Sequence, residues 1–174
     1  MTKTKKLEIP YQLIIRSENR INYANTNAND FSIYLPEFLP NDCQQFRVRL
    51  LQVGITKKAL QSDANNGNRL NANIIEVNAF FNTAYGFDTL YQGMNRYCHF
   101  FPCYEVQTYC DIVNAPMIVC NKIDQNFLRI QVFGINNSTT PPTRSLLTNI
   151  DGSSLVNCQL IFEVIPIFND VDEY

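Results

Sequence analysis

The chain has 174 residues, 45% of them hydrophobic and 12% aromatic, which suits one domain with a sizeable buried core. Its formal net charge is −2, and the only cluster of basic residues is Lys3, Lys5 and Lys6, which argues against a nucleic-acid-binding face. No run of about 18 apolar residues occurs, so no transmembrane helix is expected, and Glu8, Pro10 and Gln12 interrupt what would be the apolar core of a signal peptide.

Residues 1–9 read as an N-terminal arm, since Lys3, Lys5 and Lys6 sit in a stretch without periodicity. A first strand is predicted over Tyr11 to Arg16. A polar loop rich in Asn follows, where Asn tolerates left-handed backbone and bonds its own main chain. A second strand runs from Asp30 to Leu35, with every second residue apolar, and Pro36 closes it. Phe46, Val48 and Leu50 alternate with Gln45, Arg47 and Arg49. The apolar set then shifts to Leu51, Val53 and Ile55, which is what a β-bulge, or a strand buried on both faces at its middle, leaves in a sequence.

Residues 61–73 form a polar loop with a turn at Asn66-Gly67. Ile75, Val77 and Ala79 mark one face of a strand from Ile74 to Phe81. A short helix around 88–94 is weakened by Gly86 and Gly93. Tyr97, Phe100, Phe101, Tyr104 and Tyr109 make an aromatic-dense stretch, read mainly as core because clustered aromatics are usually buried. Met117 to Cys120 is a short apolar run. Leu128, Ile130 and Val132 define the buried face of a strand from Phe127 to Phe133. A long loop is expected from Gly134 to Arg144, and a last strand within 155–168 is apolar on both faces.

About eight strands and no long helical stripe predict an all-β, two-sheet sandwich of antiparallel strands. Among sandwiches the jelly roll is the natural candidate, and a chain without Trp lacks the core of an antibody domain. The sandwich would span 10–168, with an acidic tail, 169–174, carrying Asp170, Asp172 and Glu173.

Six cysteines, at 43, 98, 103, 110, 120 and 158, are most simply free thiols of a half-buried sheet, with a disulfide as the alternative in an extracellular particle. Cys98, His99, Cys103 and Cys110 would be the ligands of a zinc site, but no CxxC clamp is present. Neighbouring strand residues point to opposite faces, so Cys98 and His99 cannot pair as nucleophile and base. Asn136 and Asn137 begin overlapping Asn-x-Ser/Thr triplets, a chance occurrence in a chain this rich in Asn. Arg20 is read as a donor that ties down the loop after the first strand, with an inter-subunit ion pair as the rival. No catalytic residue, cofactor site or metal site is expected.

Leu13-Ile14-Ile15-Arg16-Ser17-Glu18-Asn19-Arg20, the Asn/Thr/Ala loop and Asp30-Phe31-Ser32-Ile33-Tyr34-Leu35-Pro36 together resemble the opening of small minor capsid proteins of nucleocytoplasmic large DNA viruses. The shared pattern is an apolar strand, Ser-x-x-Arg, a polar loop, then Asp-Phe-x-apolar-x-Leu-Pro. A strand like Val48 to Ile55 then follows, so that the match covers residues 11–56. The resemblance implies a non-enzymatic jelly-roll module of the virion capsid, assembled in the host cytoplasm. Its partners would be the major capsid protein and other minor capsid proteins, with self-association. Lys3, Lys5, Lys6, Asp170, Asp172 and Glu173 are the candidate contacts. A penton protein is a related alternative. A sandwich that binds carbohydrate or a receptor through loops 61–73 and 134–145 is another.

Overall fold

The computed structural model describes residues 8–22, 27–35, 39–56, 72–81, 97–102, 109–122, 127–148, 155 and 157–168. Ten strands follow in chain order: β1 (Tyr11–Arg16), β2 (Asp30–Tyr34), β3 (Gln45–Thr56), β4 (Ile74–Ala79), β5 (Tyr97–Pro102), β6 (Tyr109–Asp111), β7 (Ile118–Asn121), β8 (Phe127–Asn136), β9 (Thr143–Leu146) and β10 (Asn157–Ile167). Helix among the described residues is confined to a 3-10 turn at Ser17–Asn19. No helix there is long and apolar enough to cross a membrane.

The first sheet has the order β1-β10-β3-β6, with β7 also paired to β3. The second has the order β2-β8-β4-β5, with β9 also paired to β8. All of these pairs are antiparallel. β6 and β7 occupy two parts of one edge of β3, against Gln52–Gly54 and Gln45–Val48 respectively. Counted as one position, they make the first sheet four strands wide, and the chain passes repeatedly from one sheet to the other. That connectivity is a jelly roll.

Alternation decides what is buried. Ile15 from β1, Val48 and Leu50 from β3, and Leu160, Phe162 and Val164 from β10 meet Phe31, Val77, Ala79, Tyr97, Leu128, Ile130 and Val132 of the second sheet. Each set occupies every second position of its strand, as the pleat requires. The aromatic members pack edge to face: Phe81 on Phe162 with centroids 5.4 Å apart, Tyr97 on Phe162 at 5.5 Å and Phe46 on Phe81 at 5.9 Å.

The shift of apolar register in β3 is a bulge. Ile161 faces Gln52 and Phe162 faces Leu50, so Leu51 has no partner across the ladder. The main-chain groups beside the bulge find other partners. Ile112 N–H donates to the Leu51 carbonyl at 2.8 Å, and Leu50 N–H donates to the Tyr97 phenol oxygen, across the sandwich, at 3.0 Å. Burial pushes the Tyr97 phenol up to about 12. Tyr97→Phe is therefore expected to strand a buried N–H and cost about 1–3 kcal/mol. Urea denaturation checks this, and an unchanged midpoint would mean the hydroxyl does not hold the bulge.

Three readings of the sequence change. The loop expected from Gly134 to Arg144 is a hairpin: β8 runs on to Asn136 and the chain returns as β9, pairing Asn136 with Thr143. β6 and β9 were not anticipated, being three and four residues long, too short for alternation to register. The aromatic stretch is split by the pleat: Tyr97 and Phe101 are buried, but Phe100 and Tyr109 are exposed. The Tyr109 ring packs against Gly54, where an added Cβ would come within 2.6 Å of it. Tyr104 and the short helix expected at 88–94 lie outside the described residues, as do 61–71 of the polar loop.

Candidate functional site

The two outward faces differ in chemistry. On the first sheet, polar side chains bond one another across the strands. Arg16 Nε donates to Gln159 Oε1 at 3.0 Å, Gln52 Nε2 to Asp111 Oδ1 at 2.7 Å, and Gln45 Nε2 to Asn121 Oδ1 at 3.0 Å. Arg49 pairs with Glu163 at 2.7 Å, and Arg47 pairs with Glu8. Such exposed pairs add little stability each.

The second sheet is different. Glu76 and Asn78 point outward from β4, since their neighbours Ile75, Val77 and Ala79 point inward, yet they are 1% and 0% exposed. Arg144 of β9 donates from Nε to Glu76 Oε2 at 2.7 Å and from Nη2 to Oε1 at 2.9 Å. Asn78 Nδ2 adds a third bond to Glu76 Oε1 at 2.7 Å. The Arg144 guanidinium also lies 3.5 Å over the Phe133 ring. A buried carboxylate is tolerable only when paired and bonded in this way. The pair therefore fastens β9 to the sheet.

A groove of about 800 Å³ lies along β2. It is lined by Ile21 and Asn22 of the turn after Ser17–Asn19, by Asn27, by Asp30, Phe31, Ser32 and Tyr34 of β2, and by Phe127, Arg129 and Leu146. Arg20 Nη1 donates to the Ser17 carbonyl at 2.8 Å, so Arg20 ties down this turn, as its donor count suggested. Ser17 Oγ in turn accepts Cys158 N–H at 2.8 Å, anchoring the turn to β10. Asn22 has a left-handed backbone, φ 55°, which Asn tolerates better than most residues.

Tyr34 and Phe127 face each other across β2 and β8 and are 70% and 57% exposed. In the next rows Arg129 grips Asp30 with two bonds, 3.1 Å to Oδ1 and 2.9 Å to Oδ2, and Gln131 Nε2 donates to the same Oδ2 at 3.1 Å. The bonds to Asp30 raise the Arg129 pKa, so the guanidinium stays charged. The signal for these aromatics is in the sequence as parity. Phe31, Ile33 and Leu35 are buried, so Tyr34 must face out, and Leu128, Ile130 and Val132 place Phe127 out in the same way. That the two meet is set only by the β2–β8 register.

The anticipated contacts Lys3, Lys5, Lys6, Asp170, Asp172 and Glu173 lie outside the described residues, as does Cys103. The zinc set is not brought together. Cys98 lies across from outward Asn78, His99 lies across from inward Val77, and Cys110 belongs to the other sheet, opposite Val53. Among the described residues no three His, Cys, Asp or Glu side chains converge. Burial lowers the His99 pKa, favouring the neutral ring. Cys43, Cys110, Cys120 and Cys158 are free thiols. Burial pushes Cys120 and Cys158 up to about 12, so neither supplies a thiolate at neutral pH. Asn136 Oδ1 accepts Ser138 N–H at 2.9 Å, so that amide is occupied in shaping the turn after β8.

No protein-family model matches the chain, and no curated protein matches it.

Proposed function

We propose that this chain is a structural component of an icosahedral virus capsid, a minor capsid or cement protein that stabilises the lattice by binding the major capsid protein. The observation that carries the reading is the jelly-roll strand order, β1-β10-β3-β6 against β2-β8-β4-β5. Jelly rolls also serve lectins and cupins, and a fold alone does not choose among them. What favours the capsid reading is that the opening phrase, residues 11–56, corresponds to β1, the 3-10 turn, β2 and β3, the frame from which both sheets start. In this role the sandwich sets the spacing of its neighbours, and the arm and tail, with Lys3, Lys5, Lys6, Asp170, Asp172 and Glu173, reach across to them. The protein then resides in the virion and works without catalysis.

The test is quantitative mass spectrometry of density-purified particles from cells carrying the natural genome. A fixed stoichiometry to the major capsid chain is the expected result. Absence from particles, or a ratio that drifts with purification, overturns the reading.

A further inference from the structure

We propose that the groove between the turn at Ile21–Asn22 and the Tyr34–Phe127 pair binds a neutral oligosaccharide. The inference does not depend on the capsid reading, because it rests on the chemistry of this face alone.

Tyr34 and Phe127 occupy facing positions of β2 and β8, both more than half exposed. Exposed aromatics set side by side in a concave surface mark a contact with another molecule. A pyranose ring fits them, because its C–H face packs flat on an aromatic ring while its hydroxyls project from the rim and need donors and acceptors. The next rows supply these. Arg129 uses two of its guanidinium N–H groups on Asp30, and a guanidinium carries five. Asp30 accepts three bonds, from Arg129 and Gln131, and a carboxylate offers about four acceptor sites. Ser32, Asn22 and Asn27 line the same groove.

Charge selects the ligand further. Among the described residues that line the groove, Arg129 is the only cation and Asp30 the only anion, and they neutralise each other by a two-pronged bond. A phosphorylated or sulfated ligand would need a cation not already committed, so a neutral polyol is favoured. An extended peptide joining the sheet at β2 is disfavoured, because the chain's own loop blunts that edge. Ile21 N–H donates to the Ser32 carbonyl at 2.7 Å, and Asp30 N–H turns back to the Asn27 carbonyl at 3.3 Å. The volume, about 800 Å³, lies within the range of small-molecule sites.

Saturation-transfer NMR and titration calorimetry on the full chain test the proposal. The neutral probes are cello-, chito-, manno- and galacto-oligosaccharides of two to six units, and a heparin hexasaccharide is the charged probe. At least one neutral series is expected to bind and the heparin fragment is not. Tyr34→Ala and Phe127→Ala should each weaken binding ~10-fold or more. Phe127→Tyr, which keeps the ring and guards against misfolding, should stay within ~3-fold. Phe100→Ala removes an exposed aromatic of the same face outside the groove and should change nothing. Binding of no neutral probe, preference for the heparin fragment, or indifference to both alanine substitutions overturns the proposal. Loss of particle incorporation by Tyr34→Ala and Phe127→Ala without any sugar binding also overturns it, identifying the face as a protein contact and leaving the capsid reading intact.

Discussion

Truncating Phe162 to alanine is expected to cost about 3–5 kcal/mol of folding stability, the largest effect of any single substitution considered. Phe162 is fully buried on β10 of the first sheet, and its ring meets Phe81 and Tyr97 from the second. It therefore joins the two layers at the height of the β3 bulge, where Phe162 faces Leu50. Removing the ring forfeits its transfer energy, opens a cavity between the sheets and removes two edge-to-face contacts, each contributing about 0.5–1.5 kcal/mol. Phe162→Leu keeps much of the apolar volume and should lose only about 1–1.5 kcal/mol. Urea denaturation followed by far-ultraviolet circular dichroism gives both values. Equal losses for the two variants would show that the volume kept by leucine contributes nothing and that the loss lies in the ring contacts.

Replacing Glu76 by alanine should cost about 3 kcal/mol. That is the low end for breaking a buried ion pair, because the Arg144 side chain keeps 33% of its exposure while that of Glu76 keeps 1%. The alanine leaves the Asn78 amide and the Arg144 guanidinium without their common acceptor, and it releases β9. For a domain of this size each kcal/mol lowers the melting temperature by about 2–4 °C, so a fall of roughly 10 °C is expected in calorimetry. Glu76→Leu combined with Arg144→Met leaves no orphaned charge and should be more stable than Glu76→Ala alone. Hydrogen exchange would show the protection of Thr143–Leu146 falling first. A double variant no better than the single one would mean that the charge pair is not what fastens β9.

Much of the fold was legible because a strand half-buried in a sandwich writes its orientation into every second residue. β1, β2, β3 and β4 start where the alternation starts, and the slip at Leu51 was readable as a bulge because it inverts the parity of the apolar set. β6 and β9 were illegible for the complementary reason: three or four residues show no period, and their pairing to β3 and β8 is a long-range property.

The candidate groove was half legible. Parity alone turns Tyr34 and Phe127 outward, but residues 34 and 127 become neighbours only through the β2–β8 register. Glu76 and Asn78 show the opposite failure. Alternation places them on the outward face, where polar residues belong, and nothing local says that this part of the face is closed over by Arg144 and Phe133. The zinc-like spacing of Cys98, His99, Cys103 and Cys110 failed for a backbone reason, since successive strand residues diverge by half a turn and β6 pairs in the other sheet.

The amino-acid order by itself determined the class of the protein: a pleated, two-layer domain, with the sides of its main strands assigned, because burial of alternate side chains is a local, periodic constraint. Only the tertiary structure decided which strands are neighbours, which polar side chains pair across the strands, where exposed Tyr34 and Phe127 come to face each other and where a carboxylate is closed over. Those outcomes depend on register between segments far apart in the chain, where the free energy lies in contacts that no single stretch of sequence contains.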